Sequence, residues 1–355
     1  VNLDGTSIRM KVRTLMPVLD LSNDIMVKKY ENYVKESPYG HMLQSMGWKE
    51  VKNNWDADYV YLEDENGDIR AALSILSVKN DGENAFMYAP RGPVCDFYDI
   101  ETVQELIKEA MPVVKKRNGF FLRMDPEVMQ DHELVEKYRS LGYAFRSNEQ
   151  ENIKVFTNPK HNMILDLEDI SEEEVMKVFS SNQRTKIRKT YKNGLNTRII
   201  RVSDLMFEEA LDRFYSLTVD MSKRQGILYR PKEYFVRLMN AYSDACIFET
   251  FDDENEVLST CIVVSYNKKS FYIYAASSNN KRNLNASIQM NYEAILYAIR
   301  NGYKQYDMGG IFDFEPSNGL YMFKYNFCGG DGHKEFIGEL DVVFNEDLYS
   351  AFNSK

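Results

Sequence analysis

The chain predicts an α/β architecture of two similarly built units, each a mixed sheet flanked by helices. Three observations carry that expectation. The 355 residues, 44% of them hydrophobic and 13% aromatic, suffice for two ordinary domains with real cores. A run that reads hairpin, strand, amphipathic helix, strand occurs twice, and both helices of the repeat stop at the same tripeptide, Arg-Asn-Gly.

The elements follow in order. Residues 1–15 show no clean period and are read as an upstream extension; a strand pattern opens at Met16-Pro17-Val18-Leu19. Tyr59 to Leu76 is two apolar strands about an Asp/Asn/Gly turn at Gly67, and residues 247–265 repeat it about Asn255. An aromatic strand follows each hairpin, at Ala85–Ala89 and at Ser270–Ala275. Val103, Leu106, Ile107, Ala110 and Val113 then mark one helical face, and Ile288, Tyr292, Ile295, Leu296 and Ile299 the other. Asn and Gly at 118–119 and 301–302 suit left-handed caps. A strand leads from each cap, to Asp125 and to Asp307.

Paired landmarks lie 186, 183 and 182 residues apart (Tyr88 to Tyr274, Gly119 to Gly302, Asp125 to Asp307), so the register drifts by only a few residues. Hairpin, strand, helix, strand is the core of the acetyltransferase-like (GNAT) fold. Two such domains in tandem are expected, at 16–165 and 166–334, with 335–355 placed to complete the first sheet. The loop that holds the pyrophosphate of coenzyme A in ordinary members of that fold is missing from both equivalent places, Pro90–Val94 and Ser277–Arg282. No Walker A sequence, Rossmann glycine fingerprint or HExxH occurs, so ATP hydrolysis, hydride transfer and zinc proteolysis lack support.

The net charge of −10 repels polyphosphate as a whole, so nucleic acid must be held by a local patch. Four separated cysteines and four histidines form no metal-ligand spacing; no metal or cofactor is expected. Apolar runs are strand-length and no signal sequence opens the chain, which reads as cytoplasmic, without membrane insertion, and monomeric.

Four segments could carry chemistry. Residues 184–201 hold seven basic residues and no acidic one, with Arg184, Arg188 and Lys192 on one helical face. That face either attracts phosphates or is a solvated flank. Around Arg230, a basic loop opens a helix with Pro231 at its first position, beside Tyr234. Trp48 and Trp55 flank Lys52, and core packing is the plain reading of both tryptophans. Finally, Gly309-Gly310 ends a strand, and Lys324 follows Phe323 in an aromatic stretch. There a lysine must either snorkel outward or meet a negative charge.

In this order, Ser37-Pro-Tyr-Gly, Gly47-Trp…Val-Lys52-Asn-Asn-Trp55, Tyr88-Ala-Pro-Arg-Gly-Pro-Val94, Leu122-Arg-Met-Asp-Pro-Glu127, Lys186-Ile-Arg, Arg230-Pro-Lys-Glu-Tyr234, Tyr306-Asp-Met-Gly-Gly310 and Phe323-Lys324 resemble the FemABX family of peptidoglycan bridge-forming aminoacyltransferases. The resemblance spans residues 16–350 and looks nearest to members acting on soluble UDP-MurNAc-pentapeptide. It implies two GNAT-like domains and transfer of an amino acid, alanine or serine, from aminoacyl-tRNA to the stem-peptide lysine. It also implies that Lys52 and Arg230 bind the substrate diphosphate and that Tyr234 and Tyr274 line the cleft. Asp125 would match an acid proposed as general base, and Phe323 with Lys324 the reaction centre. Several relatives insert a coiled-coil arm; the chain from Asn182 to Arg230 leaves no room for one, so tRNA would meet the globular body, with Arg184, Arg188 and Lys192 as candidates. The alternatives are glycine transfer onto lipid II, an acyl-coenzyme A transferase on the same fold, and a non-enzymatic binding module.

Overall fold

The computed structural model describes residues 18–147, 156–226 and 229–354; the expected extension at 1–15 lies outside them. Two mixed sheets form the body. The first has six strands, β1 (Asp56–Glu63), β2 (Ile69–Lys79), β3 (Ala85–Ala89), β4 (Gly119–Met124), β5 (Ala144–Arg146) and β13 (Glu339–Val343), in the order β1-β2-β3-β4-β13-β5. The second has seven: β6 (His161–Asp166), β7 (Asn196–Ile200), β8 (Ala245–Phe251), β9 (Val257–Tyr266), β10 (Lys269–Ser277), β11 (Gln305–Gly310) and β12 (His333–Glu335), in the order β12-β6-β11-β10-β9-β8-β7.

The duplication is visible in the pairing. β1 and β2 form an antiparallel hairpin, β3 adds antiparallel to β2, and β4 runs parallel to β3. β8, β9, β10 and β11 do the same. A parallel neighbour requires a crossover, which α10 (Ala286–Arg300) supplies in the second unit. In the first unit the expected single helix is two, α3 (Ile100–Glu109) and α4 (Met111–Arg117), meeting at Ala110. Pro112 explains the break, because proline lacks an N–H and suits a first helical turn. The left-handed cap falls on Asn118 (φ 54°) in one repeat and on Gly302 (φ 75°) in the other.

β13 lies between β4 and β5, so residues far along the chain are built into the first sheet. Arg123 fixes it there with two hydrogen bonds to Asp341, at 2.8 and 2.7 Å, both residues being buried. After β13, α12 (Glu346–Asn353) lays Tyr349 and Phe352 against Phe121.

The two units share a packed junction. Short helix α2 (Met46–Val51) precedes the first sheet, yet Met42 and Val51 are buried with Phe235, Leu238 and Tyr242 of the second unit. The Tyr242 hydroxyl donates to the Met42 carbonyl at 2.9 Å, and Asn267 Nδ2 to that of Ser37 at 2.8 Å. The longest helix among the described residues, α8 (Phe207–Gln225), has 19 residues, and no coiled-coil arm is present among them.

Candidate active site

The junction positions the first group of candidate side chains. α2 packs on α9 (Lys232–Ala241), where Arg237 Nε donates to the Val51 carbonyl at 3.3 Å. Lys52, capping α2, is thereby brought beside Arg230, just ahead of α9; Pro231 is the cap residue of that helix rather than its first. Lys52 Nζ stands 5.5 Å from the Trp48 ring centroid, and the Arg230 guanidinium 5.4 Å from that of Tyr234. Tyr274 donates to the Tyr234 hydroxyl at 3.1 Å. Burial, then the positive charge of Arg230, push Lys52 down to about 8. Neither cation has a carboxylate partner among the described residues. Two unpaired neighbouring cations repel, and a polyanion between them relieves that repulsion. Both tryptophans pack on apolar neighbours, as the plain reading expects, Trp55 against Phe86 and Trp48 against the core that holds Met42 and Val51; Trp48 also lines a cavity.

That cavity, of about 200 Å³, extends from Trp48 past Phe271 to Asp307 and Gly310. Gly310 also lines a second cavity of about 250 Å³, with Tyr321 and Lys324. Lys324 sits on α11 (Gly319–Cys328), whose first turn is capped by the Asn318 side chain. It does not snorkel. Only 6% exposed, it donates from Nζ to the Gly310 carbonyl at 2.6 Å. Burial pushes it down to about 8, and the negative charge of Asp307 opposes the fall. Phe323 is half-buried, its ring 5.5 Å from Phe327, which meets Phe179 at 5.3 Å. Glycine is required at 310, because a Cβ there would lie 2.3 Å from Pro159 Cγ.

Lys52, Arg230, Tyr234 and Tyr274 thus cluster, and Lys324 lies beyond the cavity that begins at Trp48. Asp125 is elsewhere. One residue past β4 and 2% exposed, it accepts the Arg91 N–H at 2.6 Å and the Tyr88 hydroxyl at 2.7 Å, and it lines neither cavity. Of the basic face on α7 (Ser181–Lys192), Arg184 is half-buried and donates to the Phe179 carbonyl at 2.8 Å, while Arg188 and Lys192 are exposed.

Sequence reasoning missed a buried charged cluster on the cavity wall. Glu127 contacts Lys269, has His41 Nε2 at 3.4 Å and Arg91 Nε at 3.9 Å, and is held well below the usual carboxylate range by those groups despite its burial. Asp307 accepts the Gly309 N–H at 2.6 Å and both its oxygens face Asn162 Nδ2; burial and then the Glu127 charge raise it. The sequence signals for it were its match with Asp125 in the repeat and its place in the Tyr306-Asp-Met-Gly-Gly310 motif.

Twin mixed sheets with this strand order define a tandem acetyltransferase-like protein, and the fold of the tandem GNAT protein from the clavulanic acid biosynthesis pathway is similar (TM-score 0.54, 10% identity, 92% of this chain and 97% of that one). The crystal structure of FemX is more so, with a TM-score of 0.81 at 23% identity over 95% of this chain and all of that one. The FemAB family model matches residues 25–250 and 247–354, and the chain belongs to that family. It is 34% identical over 340 residues to the UDP-N-acetylmuramoylpentapeptide-lysine N(6)-alanyltransferase of Weissella viridescens, covering 94% of this chain and 98% of the relative. It is 25% identical to the lipid II:glycine glycyltransferase of Staphylococcus haemolyticus, over 91% and 92%.

Proposed function

We propose that this protein transfers an amino acid, alanine or serine, from aminoacyl-tRNA to the ε-amine of the stem-peptide lysine of UDP-MurNAc-pentapeptide, in the cytoplasm. The observation that carries the reading is that Lys52, with Arg230, stands beside Trp48 at one end of a cavity whose other end, Gly310, holds Lys324, in a chain 34% identical to an alanyltransferase of that name. In its support, no helix among the described residues is long and apolar enough to cross a membrane. The glycyltransferase relatives favour the second reading, glycine onto lipid II, but at lower identity.

The chemistry needs little beyond placement. An aminoacyl ester is already activated, so the lysine nitrogen attacks its carbonyl carbon and the bond to the ribose oxygen breaks. The nitrogen loses one proton and the ribose oxygen gains one. Lys52 and Arg230 would hold the diphosphate and so raise the local concentration of the nucleophile. Lys324, cationic and desolvated, would stabilise the alkoxide developing on the ribose, with Phe323 beside it. The proton acceptor is a carboxylate such as Asp125, acting through its hydrogen-bonded neighbours, or a ribose hydroxyl of the donor. Arg184, Arg188 and Lys192 would approach the tRNA acceptor end.

The deciding experiment incubates the protein with a mixed pool of charged tRNAs and UDP-MurNAc-pentapeptide and reads the product by mass spectrometry. The precursor should gain one aminoacyl group on lysine. An unmodified precursor, or modification only when acetyl-coenzyme A replaces the tRNA, would sink the proposal.

A further inference from the structure

Asp307 lies on the cavity wall, near enough to Lys324 for its charge to act there, buried and without an ion-pair partner among the described residues. Its charged neighbours are engaged by other carboxylates: Lys269 contacts Glu127, and Arg91, 3.9 Å from Glu127, also faces Asp125. Its own hydrogen bonds come from neutral groups, the Gly309 N–H and the Asn162 amide. A carboxylate only accepts, so Asn162 must present Nδ2 to it and turn Oδ1 away. That Oδ1 is buried and accepts no hydrogen bond from the described residues. The wall therefore carries an anionic acceptor and a neutral acceptor side by side, on residues that are each 5% exposed. Buried acceptors of this kind call for a donor, and a carboxylate with no cation in contact, the charges of Lys324, Lys269 and Arg91 acting on it only at longer range, gains from one that touches it. A primary ammonium, with three N–H groups and one charge, supplies both.

Resting on the aminoacyltransferase reading, the geometry points to Asp307 and Asn162 as the subsite for the α-ammonium of the amino acid being transferred. Both substrates carry a primary amine, but their needs differ. The attacking lysine nitrogen must be neutral when it reacts, and a carboxylate that held it as an ammonium would slow the attack. The α-amine takes no part in bond formation. With an ordinary value of about 7.7–8.0 it is substantially protonated at neutral pH and gains from a counter-charge. Distance along the backbone agrees. Gly309 donates to Asp307, and the next carbonyl, Gly310, accepts from Lys324. In an aminoacyl ester, one carbon separates the α-nitrogen from the ester carbon, so a cation site for the ribose oxygen and an anion site for the ammonium belong next to each other. A cavity of about 200 Å³ walled by Phe271 and Tyr272 suits a small side chain.

The test compares alanyl-tRNA with lactyl-tRNA, in which a hydroxyl replaces the α-ammonium and the ester is unchanged, each rate corrected for aminolysis without the protein. UDP-MurNAc-pentapeptide is the acceptor throughout. The native protein should prefer the alanyl ester by at least about tenfold in kcat/KM, the scale of one charge-assisted hydrogen bond. Asp307→Asn should bring the two within about threefold, chiefly by loss on the alanyl ester, and Asn162→Ala should narrow the ratio less. Equal use of both esters by the native protein overturns the proposal, and this comparison stands even if the variants do not fold. So does an Asp307→Asn loss equal for both donors. An effect confined to the KM of the UDP-linked acceptor would place the lysine amine there instead. Failure of the native protein to use either ester would remove the aminoacyltransferase reading itself.

Discussion

The amine of Lys324 donates to the carbonyl of Gly310 at 2.6 Å, so a strand end holds the buried cation in place, and not a carboxylate. No carboxylate pairs with Lys324 directly; Asp307 acts on it only through its charge, and the amine stays a cation aimed at the strand end.

Lys324→Met should lower kcat for aminoacyl transfer about a hundredfold or more while UDP binding persists, since one preorganised cation at a developing oxyanion is worth that much. Burial sets Lys324 near 8, so it is cationic below that pH and neutral above it. The kcat should therefore decline as pH rises through 8, and Lys324→Arg should move that decline to higher pH. A pH–rate profile at saturating substrates checks both.

Lys52 also titrates near 8, depressed by burial and by Arg230, but its effect belongs to binding. Titration calorimetry with UDP should show affinity lost above that pH. Arg230→Ala should weaken UDP about tenfold or more and, by removing the repelling charge, shift the remaining pH dependence upward.

Asp125→Ala strands the Arg91 N–H and the Tyr88 hydroxyl, both buried, at a cost of about 2–4 kcal/mol that thermal unfolding would register. Asp125→Asn keeps an acceptor oxygen and should hold transfer within about tenfold of native. A hundredfold loss at unchanged Tm would assign Asp125 the proton-accepting role.

Arg184 is tied to the Phe179 carbonyl, so the exposed pair tests nucleic-acid contact more cleanly. Replacing Arg188 and Lys192 with glutamine should raise the KM for aminoacyl-tRNA and flatten its log–log salt dependence by about 0.7–0.9 per lost phosphate contact. UDP affinity should not change; a change there would move α7 to the other substrate.

Asp341→Ala leaves the Arg123 guanidinium buried without its bidentate partner, and the first sheet should lose about 3–5 kcal/mol in denaturant unfolding.

Local pattern made much of this legible. The hairpins, the parallel crossover and the Arg-Asn-Gly stops come from short-range periodicity and turn chemistry, which one sequence displays. Lys52 and Arg230 could be singled out because cations beside tryptophan, glycine and proline stand out locally. The meeting of Asp307 with Asn162 and of Glu127 with Lys269 could not. Those contacts join residues 142 and 145 positions apart, and none of these side chains is unusual in its own segment. The break at Ala110 was obscured because the apolar spacing runs through it even though Pro112 interrupts the backbone.

The insertion of β13 between β4 and β5 has a consequence for biosynthesis. During translation β4 emerges some two hundred residues before the strand that covers its outer edge, and until then that edge is open to pairing with other chains. The second sheet, whose strands run from His161 to Glu335, has all its strands synthesised sooner, so the half made first on the ribosome is the half finished last.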